Sequence, residues 1–180
     1  MNYFTPDLLA RFRSGEIETA EWEQACEAYE KHLKSIRSDI PDEILKSLDT
    51  ICFHDAKVLT MSGDEAQHLS LFLKLTGPNN PPDKYLELRY RLAGGGGIRA
   101  IKHPSLVGDG KPFGWWLFDE IDVVKEGQRT AFKHSVLFTG GYEIEVLFTR
   151  VTVSHLQFFL PQGLPDEAED RFDALQLLSA

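Results

Sequence analysis

The sequence predicts an α+β domain in which N-terminal helices precede a mostly antiparallel β-sheet meander of about six strands, followed by a C-terminal helix. Three observations lead there. Apolar residues recur at helical spacing through about residue 50, the period drops to two from about His54 onward, and the later strand-like runs are joined by short turns, as antiparallel neighbours require. Residues 1–50 then form a helical segment, 51–160 the sheet region and 161–180 a helical tail, all within one compact domain. A chain of 180 residues is long enough to bury a substantial core.

The helices follow from their own signals. Thr5-Pro6-Asp7 supplies an N-cap, a first-position proline and a first-turn acid, and Ser14-Gly15 ends the element. Between Glu18 and Arg37, Trp22, Cys26, Tyr29, Leu33 and Ile36 recur at helical spacing, with acids early and Lys31, Lys34 and Arg37 late, as the helix dipole prefers. A third helix starts at Pro41 and runs to about Asp49, turning Ile44, Leu45 and Leu48 inward. The chain has two cysteines, Cys26 and Cys52. Both lie in apolar settings and read as reduced core residues, which suits a cytoplasmic protein.

The strands announce themselves by alternation. "HLSLFLKL" sets Leu69, Leu71, Leu73 and Leu75 on one face, and "YLELRYRL" does so with Leu86, Leu88, Tyr90 and Leu92. Three further runs, Trp115 to Val124, Thr130 to Phe138 and Tyr142 to Val153, complete the meander. After them, Ala168, Phe172 and Leu175 at helical spacing mark the C-terminal helix.

Two turns set the register of the last three strands. With Glu126 and Gly127 as loop residues, Ile121 opposes Phe132, Leu117 opposes Val136, and Asp119 opposes His134. In "FTGGY", a two-residue loop would put Glu143 and Glu145 against apolar partners. A three-residue loop, Thr139 to Gly141, aligns Val136 with Ile144, His134 with Val146 and Phe132 with Phe148, so the pattern selects the longer loop. Glu143 and Glu145 then share a solvated face with Lys133 and Ser135. Asp119 and His134 interrupt an otherwise apolar face. The structural explanation is a hydrogen-bonded pair that fixes strand register. The functional one is an acid-oriented histidine serving as base, acid or metal ligand.

Other constellations are weaker. His54-Asp55 invites comparison with adjacent His-Asp metal ligands, but neighbouring strand residues point to opposite faces. The pair is kept as a ligand-binding candidate beside a plain role in capping or anchoring the first strand. The glycine run Gly94 to Gly97 contains a dinucleotide-like spacing. Pro104, Gly108, Gly110, Pro112 and Gly114 forbid the helix that pyrophosphate binding would need. A formal charge of −9 argues against nucleic acid, and Glu87, Arg89 and Arg91 read as solvent-side residues that pair with charges across the strands. No apolar run is long enough to span a membrane, and "MNYFTPDLLARF" lacks the features of a secretion signal. No metal-ligand set and no cofactor motif is expected.

Through "YFTPDLLARF", "HDAKVL", "WLFDEID" and "FKHSVLFTGGYEIEVLF", the chain resembles a bacterial family of uncharacterised proteins, a domain of unknown function. The resemblance covers most of the chain and implies helices before a β-rich part, with no activity attached. The "HDA" opening also resembles those of small immunity-type proteins, a likeness of fold alone. Two functions stay open. One is a cytosolic binding or interaction domain for an unidentified protein or small molecule. The other is a hydrolase-type enzyme with Asp119 orienting His134.

Overall fold

The computed structural model describes residues 1–49, 51–64, 67–76, 84–94, 97–106, 113–126 and 129–156. Helices come first: α1 (Pro6–Ser14), α2 (Thr19–Ile36) and α3 (Asp42–Asp49), with a 3-10 turn, Arg37–Asp39, after α2. Thr5 Oγ1 accepts from the Leu8 amide at 3.2 Å, and Gly15 closes α1 in the left-handed region at φ 74°, as the cap signals demand. The predicted C-terminal helix lies outside the described residues.

Seven strands follow: β1 (Lys57–Asp64), β2 (His68–Leu75), β3 (Lys84–Leu92), β4 (Ile98–Lys102), β5 (Trp116–Glu126), β6 (Arg129–Phe138) and β7 (Tyr142–Leu156). The order across the sheet is β1-β2-β3-β7-β6-β5, every pairing is antiparallel, and β4 also pairs with β7. The strand the sequence missed is β4. It continues the line of β3 along β7, for Leu92 pairs with Phe148 and Ile98 with Val146. β3 and β4 thus lie end to end along β7, with Leu147 bonding Ala93 on one side and Gly97 on the other. A strand follows it and no helix, so the dinucleotide arrangement is absent there.

The sheet curls until its two edge strands meet at one end. The Trp116 amide donates to the Ala56 carbonyl and the Asp55 amide to Trp116, each at 2.8 Å, and Val58 donates to Gly114 at 3.1 Å. Right-handed twist makes such curling natural, and bulges in β1 and β5 assist it. The concave side holds the main core. Leu69, Leu71, Leu73 and Leu75 of β2 and Leu86, Leu88, Tyr90 and Leu92 of β3 are all buried there, with Trp116, Phe132, Val136, Phe138, Ile144, Val146 and Phe148 from the other strands and Ile44 from α3. Each such large side chain contributes about 1.5 to 3 kcal/mol by leaving water.

Helix α2 touches the edge of β5 and buries none of its residues completely. For that reason Cys26 is exposed, although its spacing put it in the inward stripe, and Cys52 is exposed as well. Both departures correct the core assignment. A stripe that meets a sheet edge is covered over a narrower width than one that meets a sheet face.

The convex side of β5 and β7 is covered by the first four residues. Glu120 accepts hydrogen bonds from the amides of Asn2, Tyr3 and Phe4 at 2.6, 2.7 and 2.7 Å. Glu143 accepts from the Met1 amino group at 2.5 Å and meets His103 Nε2 at 2.9 Å. Glu143 is therefore buried, not solvated. Alternation correctly assigns it to the convex face but does not reveal what covers that face. Glu145 keeps partial exposure and pairs with Arg99 at 3.2 Å.

Candidate functional site

The second of the two turns is as the pattern requires. Gly141 takes φ 78°, and β6 and β7 pair Phe132 with Phe148, His134 with Val146 and Val136 with Ile144. The first turn is shifted. Glu126 opposes Arg129, so Ile121 faces His134 and Asp119 faces Val136. Direct opposition of Asp119 and His134 is thereby corrected by two residues. A shift of two leaves every side chain on its own face, so hydrophobic patterning cannot distinguish the two registers. The bulge between Trp116 and Phe118 realigns the start of β5, where Trp116 opposes Phe138.

The two side chains nonetheless meet on the concave side. His134 Nε2 lies 3.0 Å from Asp119 Oδ2, Tyr90 Oη lies 2.7 Å from His134 Nδ1, and the Trp116 indole N–H donates to Asp119 Oδ1 at 2.9 Å. His134, Tyr90 and Trp116 have no exposed surface, while the Asp119 side chain keeps 35% of its own. Burial acts to raise the Asp119 pKa but is outweighed by the hydrogen bond and charge of His134, then by the Trp116 indole and the charge of His54, so the carboxyl is held below its usual value. Tyr90 is pushed well above its usual value by burial and secondarily by the Asp119 charge.

The lowered Asp119 value sets the direction of one of these bonds. An ionised carboxylate only accepts, so Nε2–H of His134 donates to Asp119. The Tyr90 hydroxyl is the partner of the second ring nitrogen, Nδ1. The relay runs Tyr90 to His134 to Asp119, anchored at its far end by Trp116. Both ring nitrogens of His134 are engaged.

His54 and Asp55 lie on the turn before β1, not within a strand, and Asp55 has a positive φ of 65°. The turn lets adjacent side chains meet, so His54 Nδ1 sits 3.0 Å from Asp55 Oδ2, both about half exposed. The His54 ring packs edge-on against Phe118, and its charge reaches Asp119. The His54-Asp55 turn therefore lies near Asp119, while His134 stays inside the core. Among the described residues, no group of three or more His, Cys, Asp or Glu side chains is arranged to hold a metal ion.

Tyr90 and Trp116 are the members that sequence reasoning missed. Tyr90 stands at an inward position in a row of leucines, and its ladder neighbours are Leu69 and Val151. Curvature of the sheet brings its hydroxyl across β7 to His134. The hint was an inward residue with a polar tip that needs a partner when buried.

No protein-family model matches this chain, and a search of curated proteins finds no match either. Among the described residues, no helix is long and apolar enough to cross a membrane.

Proposed function

We propose that the protein is a non-catalytic binding domain acting in the cytoplasm, with the Tyr90–His134–Asp119 relay as an internal support of its curved sheet. One observation carries this reading: His134 is fully buried and has partners on both ring nitrogens. A general base needs a free nitrogen within reach of a substrate proton. A closed polar network inside a core instead fixes which residues face each other. The resemblance of its short phrases to those of uncharacterised bacterial proteins fits such a domain and assigns it no chemistry.

The competing reading is a hydrolase-type enzyme, favoured by the partial exposure of Asp119 and the nearness of His54 to it. The test is turnover of p-nitrophenyl acetate and p-nitrophenyl phosphate by the purified chain and by His134→Gln. A binding domain gives background rates for both proteins. Turnover that is lost in His134→Gln while the folded state persists would install the hydrolase and remove the binding domain.

A further inference from the structure

The outward face of the sheet opposite the relay is ordered in rows across the strands. One row is Asp64, His68, Arg91 and Arg150. The next is Ser62, Ser70, Arg89 and Thr152, and the third is Thr60, Phe72, Glu87 and Ser154. The cross-strand charge pairing expected for Arg89 and Arg91 is not found. Arg89 stands between Ser70 and Thr152, and Arg91 stands between His68 and a second arginine.

Directly opposed like charges cost stability in a sheet, and among the described residues the one carboxylate paired with these arginines is Glu43, at the far reach of Arg150. Arg89 and Arg91 are exposed and make no ion pair among the described residues, whereas Arg11, Arg99 and Lys125 each have a carboxylate at 3.2 Å or less. Among the described residues Arg150 pairs with Glu43, at 4.0 Å, with both side chains largely in solvent. Glu87, the nearest acid along β3, accepts from the Ser70 hydroxyl at 2.6 Å. Asp64 ends its row beyond His68. In a chain of net charge −9, three adjacent guanidiniums, two of them without an ion pair among the described residues, concentrate positive charge on this face.

Gln67, His68, Arg89, Arg91, Arg150 and Thr152 border a depression of about 680 Å³, a size common for small-molecule sites. Adjacent strands lie about 4.8 Å apart, and residues two apart on one strand about 7 Å. Three arginine arms based at those spacings can therefore reach one compact anion. Guanidinium forks match phosphate oxygens two at a time, and the Gln67 side-chain amide can add a neutral donor. The acidic remainder of the protein disfavours a long polyanion such as nucleic acid.

We propose that this depression binds the phosphate group of a small phosphomonoester, held by Arg89, Arg91 and Arg150. The proposal deepens the binding-domain reading and rests on it, since the ligand is held without being turned over. The test is a titration of the full ¹⁵N-labelled chain with inorganic phosphate, p-nitrophenyl phosphate and acetate, followed by NMR at the backbone amides and arginine Nε–H groups.

The expected result is saturable phosphate shifts centred on His68, Arg89, Arg91 and Arg150, with acetate at least about tenfold weaker. Arg91→Gln should weaken phosphate about tenfold, the loss of one charge-assisted hydrogen bond, and Arg89→Gln/Arg91→Gln should abolish saturation. Unchanged circular dichroism would show that the variants are folded. Equal binding of acetate and phosphate, no saturation, or phosphate binding undiminished in the double variant would each overturn the site. If p-nitrophenyl phosphate binds at these arginines and is also hydrolysed, the anion site stands and the non-catalytic reading falls.

Discussion

His134 and Asp119 are bonded, Nε2 to Oδ2 at 3.0 Å, although the ladder pairs His134 with Ile121 and Asp119 with Val136. They are diagonal neighbours on one face, a separation that longer side chains bridge. Removing one partner leaves the other without its hydrogen bond inside the core. Asp119→Ala should therefore destabilise the fold by about 1 to 3 kcal/mol in equilibrium denaturation. Replacing both with well-fitting apolar residues should recover much of that loss. A double variant as unstable as the two single losses combined would count against a mutually satisfied pair.

The Asp119 pair also predicts a pH dependence. Its folded pKa lies below the usual value, so its contribution is complete above the unfolded carboxyl pKa of about 4 and is lost as pH falls through the lower folded value. Asp119→Asn lacks that titration. Thermal melts over this acidic range should show the wild type losing its advantage over the variant as pH drops, and parallel curves would contradict the assignment.

Tyr90 Oη is hydrogen-bonded to the second ring nitrogen, so Tyr90→Phe keeps the packing and removes only the hydroxyl. A buried ring nitrogen is left without its partner. The expected cost is about 1 to 2 kcal/mol, read by denaturant midpoint, with a changed His134 Nδ1 chemical shift. An unshifted nitrogen would place the hydroxyl elsewhere.

Glu120 ties down the first residues through three backbone amides. Glu120→Ala should free them and lower stability by about 2 to 3 kcal/mol. Amide exchange at Asn2, Tyr3 and Phe4 should accelerate while exchange in β2 and β3 follows only the global loss. Continued protection of those three amides would mean that something else holds the segment.

Gly141 combines φ 78° with a carbonyl, that of Leu106, lying where a Cβ would go. Gly141→Ala must strain the turn and move the 103–106 segment. A loss above about 1 kcal/mol is expected, since the left-handed conformation alone costs an alanine that much. A neutral substitution would show that the turn can rearrange freely.

Much of the fold is legible in the chain itself because its causes are local. Thr5, Pro6 and Gly15 delimit α1 by capping chemistry, and the alternating leucines of β2 and β3 declare their buried face by period alone. The glycines after Phe138 fix a turn whose register follows from which side chains would otherwise be buried with the wrong partners. The face shared by Asp119 and His134 belongs to the same class, for alternation preserves it through any shift of two.

Tertiary structure decided the rest, because it depends on contacts between residues distant in the chain. Curling of the sheet carried Tyr90 to His134 across an intervening strand, and a bulge placed Trp116 beneath Asp119. Residues 1–4 converted Glu143 from an apparent surface charge into a buried anchor, and they cover Glu120 in the same way. Alternation tells which side a residue faces, but only the assembled neighbours determine whether that side meets water, another strand or an arginine of the same sign.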